Sequence, residues 1–324
     1  MLNTLMNHLF KPLAFIVAVL LPVAFPSLIL HIVLGFMQLW KGPKVVGACA
    51  LLLPFGHRVK LFIQLRVRPP TSTPISFIST RMLAVTPAMS LCPPLRLSYR
   101  VIHLILRVLF ILAVSSGAVC STLARGWSSI SKSALFGALW AVAQSISYEV
   151  SLGLFRLPVI TFSWGYSLQT FSTAQESIRL FAPACPLAGM WFISTMAESN
   201  RAAFELTLGQ SDLVSAFKVE YAGGAFALFS LPEYANMLQM NTSSADLFLA
   251  TSHIRHFPAL TTMSLMTKPA LSSIVILCVR ARFPRYGYGQ LVHLVWTNFV
   301  PLSLAVVLSD IAVPIALARL PRQL

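Results

Sequence analysis

Residues 134–155 read ALFGALWAVAQSISYEVSLGLF, an apolar run that contains a single acid, Glu149. About 20 apolar residues are enough to cross the hydrocarbon core of a bilayer as one α-helix. An acid inside such a run is costly to bury and is usually tied to function. The run therefore predicts a membrane-spanning helix that carries one carboxyl group, either functional or structural.

The composition of the whole chain agrees with this prediction. Of the 324 residues, 56% are hydrophobic and 10% are charged, whereas soluble domains carry about 25% charged residues. A soluble core of this size cannot hide so much apolar surface from water, but lipid tails accept apolar side chains directly. We therefore expect an all-α integral membrane protein.

Apolar windows of the required length occur eight times along the chain, so we predict about eight transmembrane helices in a single multi-span membrane domain over residues 1–324. The windows cover residues 12–33, 74–92, 101–123, 134–155, 178–197, 222–249, 259–279 and 291–317. The second window is the weakest, because Arg81 and Pro87 interrupt it. The first is predicted to be a retained span, because no cleavage pattern of small residues follows it.

The cations indicate how the loops are oriented. Lys and Arg number 24 against 9 Asp and Glu, which gives a formal net charge of +15. The cations are spread singly between apolar runs, which argues against a nucleic acid partner. More of them fall in the odd-numbered loops, including the long loops at about 41–73 and 198–221, so these loops are expected to face the negative compartment. Arg125 and Arg156 are both assigned to loops in this scheme.

The first long loop has an amphipathic pattern. Its apolar residues share one face of a helix that would lie against protein or the membrane interface, namely Leu51, Leu52, Leu53, Phe55, Val59, Phe62 and Ile63. Neither loop suggests a soluble-type active site. The five cysteines form no CxxC pair, His253 and His256 lack a nearby third ligand, and residues 41–47 lack the GxGxxG spacing. We therefore expect no metal and no nucleotide site.

The acids are the strongest functional signal. None occurs in the first 148 residues, and Glu149 and Glu233 both lie inside predicted spans. Either could carry a proton, or could be a structural carboxyl group held by hydrogen bonds. The second long loop contains Glu198, Glu205, Asp212 and Glu220 around Arg201, and such a cluster suits proton relay or cation binding as well as a solvated loop face.

Several long runs resemble one known family. They are residues 34–47 (LGFMQLWKGPKVVG), 126–129 (GWSS), 134–150 (ALFGALWAVAQSISYEV), 190–200 (MWFISTMAESN), 220–228 (EYAGGAFAL) and 233–236 (EYAN), with Pro284, Arg285, Asn298 and Phe299 near the end. In this order along the whole chain they resemble subunit 1 of respiratory complex I, the NADH:ubiquinone oxidoreductase, and vertebrate mitochondrial members most of all.

The resemblance implies a function. It predicts eight spans in the mitochondrial inner membrane, other complex I subunits as partners and ubiquinone as the shared substrate, with no flavin, metal or iron–sulfur cluster in this chain. It places Phe55 and Arg201 at the quinone chamber. It also assigns a proton path to a set of acids, namely Glu149, Glu198, Asp212, Glu220 and Glu233, with Glu205 beside them.

The chain departs from the family pattern mainly at charges. Six family carboxylate positions hold other residues here, namely Leu30, His57, Leu65, Leu208, Gln210 and Gly289. Arg58 adds a charge beside the expected quinone cavity, and Arg81 and Arg107 add charge at membrane depth. A second interpretation is therefore a degraded copy of a mitochondrial gene, lodged in a nuclear genome, whose product inserts but does not assemble. An unrelated transporter would predict inverted repeats, and the sequence has none.

Overall fold

The structure is a computed structural model that describes residues 11–43, 47, 50–64, 72–91, 106–176, 180–181, 184–199, 221–249, 258–282 and 287–316. Its described residues form helices and connecting turns, with no strand among them. The helices are α1 (Lys11–Met37), α2 (Leu53–Ile63), α3 (Pro74–Leu91), α4 (Arg107–Ser129), α5 (Lys132–Ser163), α6 (Leu168–Ala174), α7 (Cys185–Glu198), α8 (Gly224–Phe248), α9 (Pro258–Arg282), α10 (Tyr288–Leu294) and α11 (Val300–Ala316). The all-helical fold is confirmed.

Each apolar window predicted from the sequence contains a helix, and several bounds differ. The helix in the third window ends at Ser129, and the helix in the fourth continues to Ser163. The helix in the fifth window begins only at Cys185 and has 14 residues, which is about 21 Å at 1.5 Å per residue and shorter than the hydrocarbon core. Two helical segments of the described chain are long and apolar enough to cross a membrane, Arg107–Ser129 and Gly289–Ala312.

Helices α4 and α5 form an antiparallel pair joined by a very short connection. Ile130 adopts a left-handed conformation with φ 52°, and Ser131 precedes the first residue of α5. Small residues line the contact, where Ala134 and Ala138 have no exposed surface. The two helix axes can therefore approach closely near the connection.

The main core is built around α5. Four of its large side chains are at most 1% exposed, namely Tyr148 and Phe155 of α5, Phe171 of α6 and Trp191 of α7. The tyrosine hydroxyl donates to the Leu291 carbonyl oxygen at 3.3 Å. The side-chain amide of Gln175 donates to the Leu247 carbonyl oxygen at 2.7 Å and so holds the end of α6 against α8. The core thus connects α5 to α6, α7, α8 and α10.

A smaller aromatic cluster joins α3, α4 and α8. The rings of Phe77 and Tyr221 stack with centroids 4.6 Å apart, and the Tyr221 ring meets that of Phe229 edge-on at 4.5 Å. The Tyr221 hydroxyl donates to the Arg125 carbonyl oxygen at 3.1 Å and lies 2.8 Å from the Ser128 hydroxyl. This tyrosine therefore fixes the start of α8 against the end of α4.

The helix predicted in the first long loop is confirmed as α2, except that Leu51 and Leu52 lie in the turn before it, and α2 packs on α1 and α8. The Phe55 ring meets the Phe25 ring edge-on at 6.0 Å. The Arg58 guanidinium donates to the Ala227 carbonyl oxygen at 3.3 Å and to the Ser230 hydroxyl at 3.4 Å. It also lies over the Tyr234 ring, 5.8 Å from the centroid. Arg58 therefore joins α2 to α8.

A π-helical turn, Val295–Phe299, lies between α10 and α11. The buried side chains of this segment are spaced by four residues and comprise Leu291, Val295, Phe299 and Ser303. In a regular α-helix, four residues overshoot a full turn by about 40°, so three such steps would carry the last side chain about 120° around the helix. The wider π turn offsets this drift and keeps the four on one face.

Candidate functional site

Glu149 lies within α5, near its middle. The residue is half-buried, and its Oε1 atom is buried without a hydrogen-bond partner among the described residues. The Ser115 hydroxyl of α4 lies within hydrogen-bonding reach of this carboxylate, and it also donates to the Leu112 carbonyl oxygen at 2.9 Å. A hydroxyl group has one hydrogen to donate, so Ser115 serves one acceptor at a time.

Glu198 is the last residue of α7, and its Oε2 atom is likewise buried without a hydrogen-bond partner in the part of the chain described. Its electrostatic neighbours are Glu149 and Arg156. The structure therefore brings together two carboxylates that the sequence places 49 positions apart.

Arg156 is the cation that interacts electrostatically with both acids. Its side chain is 3% exposed. Its guanidinium lies over the Trp191 ring at 5.2 Å from the centroid, in a cation–π geometry. The Trp191 indole N–H donates to the Ser244 hydroxyl at 2.8 Å, which fixes the ring. The assignment of Arg156 to a loop is wrong, because α5 continues past this residue to Ser163.

A small cavity adjoins Arg156. Its volume is about 10 Å³, and its lining comprises Val108, Ile111, Arg156, Leu168, Ser243 and Leu247. A space of this size holds about one water molecule. Nη1 of Arg156 is buried and has no hydrogen-bond partner among the described residues.

Glu233 of α8 belongs to a second charged centre. Its electrostatic partner is Arg125, which is 4% exposed and lies over the Phe229 ring at 4.8 Å from the centroid. The Arg125 guanidinium also donates to Ser121, at 3.2 Å to its carbonyl oxygen and at 3.0 Å to its hydroxyl. The assignment of Arg125 to a loop is also wrong, because α4 extends to Ser129.

An open pocket of about 410 Å³ lies where α1 ends and α2 begins. Its lining residues are His31, Leu34, Gly35, Gln38, Trp40, Lys41, Gly42, Pro43, Leu53 and His57. The rings of His31 and His57 face each other edge-on with centroids 6.5 Å apart. Phe55, which the resemblance places at the quinone chamber, lies on the adjacent helix but packs against Phe25 rather than lining this pocket.

The other residues singled out in the sequence are distributed as follows. Leu30 is half-buried in α1, and Gly289 is exposed in α10. The rest lie outside the described residues, namely Leu65, Arg201, Glu205, Leu208, Gln210, Asp212 and Glu220. Within the described ranges no group of three or more His, Cys, Asp or Glu side chains is arranged to hold a metal ion.

The fold and the site together define a class of protein: an all-helical chain whose apolar helices enclose carboxylates that have arginines as electrostatic neighbours. The chain belongs to the NADH dehydrogenase family, because the model of that family matches residues 10–310.

Individual relatives agree with the family match. The chain is 63% identical over 324 residues to NADH-ubiquinone oxidoreductase chain 1 of Carassius auratus, and the alignment covers 100% of both chains. It is 60% identical over 324 residues to the protein of the same name from Tetraodon nigroviridis, again with 100% of both chains covered. With the Danio rerio protein of that name the identity is 54% over 323 residues, covering 100% of both.

Proposed function

We propose that this chain is a membrane subunit of NADH:ubiquinone oxidoreductase in the mitochondrial inner membrane. In this role it forms part of the quinone chamber and couples quinone reduction to proton translocation. The observation that carries the proposal is the buried cluster of Glu149, Glu198 and Arg156 in a chain of this family. Carboxyl groups inside apolar helices are expensive to maintain and suit proton transfer.

The surface of α5 supports a multi-span membrane domain. Exposed apolar side chains follow one stripe of this helix, at Leu139, Ile146, Val150 and Leu157. Their spacings of seven, four and seven residues keep them on one face, and the fully buried Tyr148 and Phe155 lie on another. An exposed apolar stripe on a long helix suits contact with lipid tails. We extend this assignment to the helices in all eight apolar windows, including the 14-residue α7.

The open pocket and α2 support the quinone and partner assignments. The pocket combines apolar residues such as Leu34, Trp40 and Leu53 with the polar groups of Gln38 and Lys41, which suits an apolar molecule with a polar head. On α2, four apolar side chains are 39–78% exposed, namely Phe55, Val59, Phe62 and Ile63. An apolar face of this kind suits docking to another subunit or to the membrane interface.

The missing carboxylates support the second candidate, a degraded copy that inserts without assembling. His57 and Gly289 take positions where the resemblance implies acids, and both are exposed in the structure. A relay with acids removed has gaps that only water can bridge. We therefore expect lower proton translocation per electron than in a subunit that keeps those acids.

Mass spectrometry of the intact oxidoreductase, isolated on a native gel from the source tissue, distinguishes the two candidates. Peptides that contain Trp140, Gln210 or Gly289 identify this chain. If they occur in amounts equal to those of the other subunits, the chain is an assembled subunit. If the enzyme contains only peptides of a version with the family residues at these positions, the proposed function is wrong and the degraded copy is the correct interpretation.

A further inference from the structure

On α5 and on α7, two residues of the charged cluster and its surroundings are separated by the same number of positions. Glu149 and Arg156 are seven residues apart on α5, and Trp191 and Glu198 are seven apart on α7. Seven residues make about two turns, so each pair shares one face of its helix. Arg156 lies over Trp191, and the Gln144 side-chain amide donates to the Ala197 carbonyl oxygen at 3.4 Å. These contacts place the two helices in opposite directions, with Ala197 level with Gln144, so that Glu198 lies about 9 Å along the helix axis from the level of Glu149.

The side chains then converge. Long side chains of a helix lean toward its N-terminus. The Arg156 side chain on α5 therefore leans toward Glu149, and the Glu198 side chain on α7 leans toward the level of Trp191 and Arg156. The electrostatic neighbours agree with this direction, because Arg156 interacts with both acids and Glu198 interacts with Glu149.

The environment provides little other compensation for charge. The cavity beside Arg156 has room for about one water molecule, and the rest of its lining is apolar except for Ser243. Other titratable groups on these two helices and on the helices packed around them include Arg107, Cys120, Arg125, Lys132, Cys185, Glu233, Asp246, His293 and Asp310. The two carboxylates remain the electrostatic neighbours of the guanidinium.

Charge balance then sets the proton count of the cluster. Two ionised carboxylates and one guanidinium leave a net negative charge in an apolar interior, and two protonated carboxyl groups leave a net positive charge. Either state is costly, because a buried charge needs a partner of opposite sign. One ionised and one protonated carboxyl group opposite Arg156 give a neutral cluster.

We propose that Glu149 and Glu198 act as a single proton-holding unit, in which Arg156 is the positioning residue that fixes the number of shared protons at one. Arg156 exchanges no proton itself. The consequence of this unit for proton translocation rests on the proposed function, whereas the proton count of the cluster does not.

Labelling with dicyclohexylcarbodiimide tests the proton count, because this apolar reagent adds to protonated carboxyl groups. The full-length chain in membrane vesicles is treated at one neutral pH, and adducts on Glu149 and Glu198 are quantified by peptide mass spectrometry. We expect a summed occupancy of about one adduct per chain, since labelling of one carboxyl group leaves the other ionised opposite Arg156. Arg156→Lys keeps the cation and should give the same result.

Arg156→Leu should raise the summed occupancy to about two adducts per chain, because without the cation both carboxyl groups are protonated. Arg125→Leu is the matched control, since Arg125 is buried to a similar degree but belongs to the Glu233 centre. It should leave the occupancy at Glu149 and Glu198 unchanged. Two adducts per wild-type chain, or no increase in Arg156→Leu, would overturn the inference.

A second variant keeps the test decisive if Arg156→Leu fails to insert. In Glu198→Gln, the remaining Glu149 faces Arg156 alone and should be ionised, so its labelling should fall several-fold. If the two carboxyl groups bound protons independently, labelling at Glu149 would be unchanged in Glu198→Gln, and that result would refute a shared proton. Neither readout requires turnover. If labelling follows this pattern in a chain that never assembles, the proposed function fails and the proton-holding unit stands.

Discussion

Gly126 of α4 lies against Ala138 of α5 with no space for a side-chain carbon between them. A Cβ added at Gly126 would overlap the methyl group of Ala138 and would lie 3.0 Å from the Ala134 carbonyl oxygen. Both neighbours belong to a helix rather than to a flexible side-chain end, so neither can move away easily. The glycine of the GWSS run therefore sets the distance between two helices that flank the charged cluster.

Gly126→Ala should destabilise the protein by about 1–3 kcal/mol, because the added methyl group forces the two helices apart. Gly153→Ala is the matched control. Gly153 lies within α5 with nothing within 4 Å of an added Cβ, so the substitution should be neutral or should stabilise the helix by about 0.5–1 kcal/mol. Thermal unfolding of the detergent-solubilised chain measures both. Equal unfolding temperatures for the two variants would show that the α4–α5 contact is looser than described.

Tyr221→Phe should cost about 1 kcal/mol, because it removes the hydroxyl group that bonds to Arg125 and Ser128 but keeps the ring stacked on Phe77. Tyr221→Ala should cost about 3–5 kcal/mol, because it also removes the ring from the aromatic cluster. Denaturant-induced unfolding gives both values. If the two variants are equally destabilised, the ring contributes nothing and the cluster of Phe77, Tyr221 and Phe229 is not a packing unit.

Arg58→Ala should release α2 from α8. Burial lowers the pKa of the Arg58 guanidinium, yet the group stays protonated near neutral pH because the ordinary pKa of an arginine lies far above neutral. Its donors therefore remain available to the Ala227 carbonyl oxygen and Ser230 throughout the physiological range. Amide hydrogen exchange of residues 53–63 should become faster in Arg58→Ala. Lys60→Ala, which changes an exposed cation on the same helix, should leave that exchange unchanged.

Trp191 and Ser244 should show energetic coupling of about 1 kcal/mol in a double-mutant cycle. Trp191→Phe removes the indole N–H and keeps an aromatic ring under Arg156, and Ser244→Ala removes the acceptor. Because the two changes delete the same hydrogen bond, the double variant should be less destabilised than the sum of the single variants. Additive unfolding free energies would mean that this bond does not stabilise the helix pair.

Glu149→Gln should reduce quinone-coupled proton translocation about tenfold or more, because an amide cannot carry the proton that the proposed path requires. Glu176→Gln is the control, since Glu176 is an exposed acid just after α6. Proton uptake by vesicles containing the assembled oxidoreductase measures the effect, with NADH oxidation recorded in parallel. Unchanged uptake in Glu149→Gln would remove this residue from the path without affecting the family assignment.

Much of the fold was predictable because the length of each apolar run can be counted directly in the sequence. The apolar window at 134–155 predicted α5, and the single acid in that window singled out Glu149 as a candidate site residue. The cation that faces this acid was missed because hydropathy windows stop at charges, so Arg156 was taken as the first residue beyond a span. The available signal was the spacing of seven residues between Glu149 and Arg156, since residues seven apart lie on the same face of an α-helix. The electrostatic interaction of Arg156 with Glu198 and its position over Trp191 are tertiary, and no local pattern encodes them.

The π turn at Val295–Phe299 has a consequence for how this segment can vary. Removal of one residue within the π turn would restore regular α-helical winding and leave the four buried side chains at steps of four, three and four residues, which together make about three full turns. Phe299 would then keep its place beside the Phe155 ring, 6.2 Å away between centroids, and Ser303 would keep its buried position. Removal of one residue elsewhere in this segment would instead rotate the downstream side chains by about 100° around the axis. In this last segment, a single-codon deletion should therefore be tolerated within the π turn and damaging outside it.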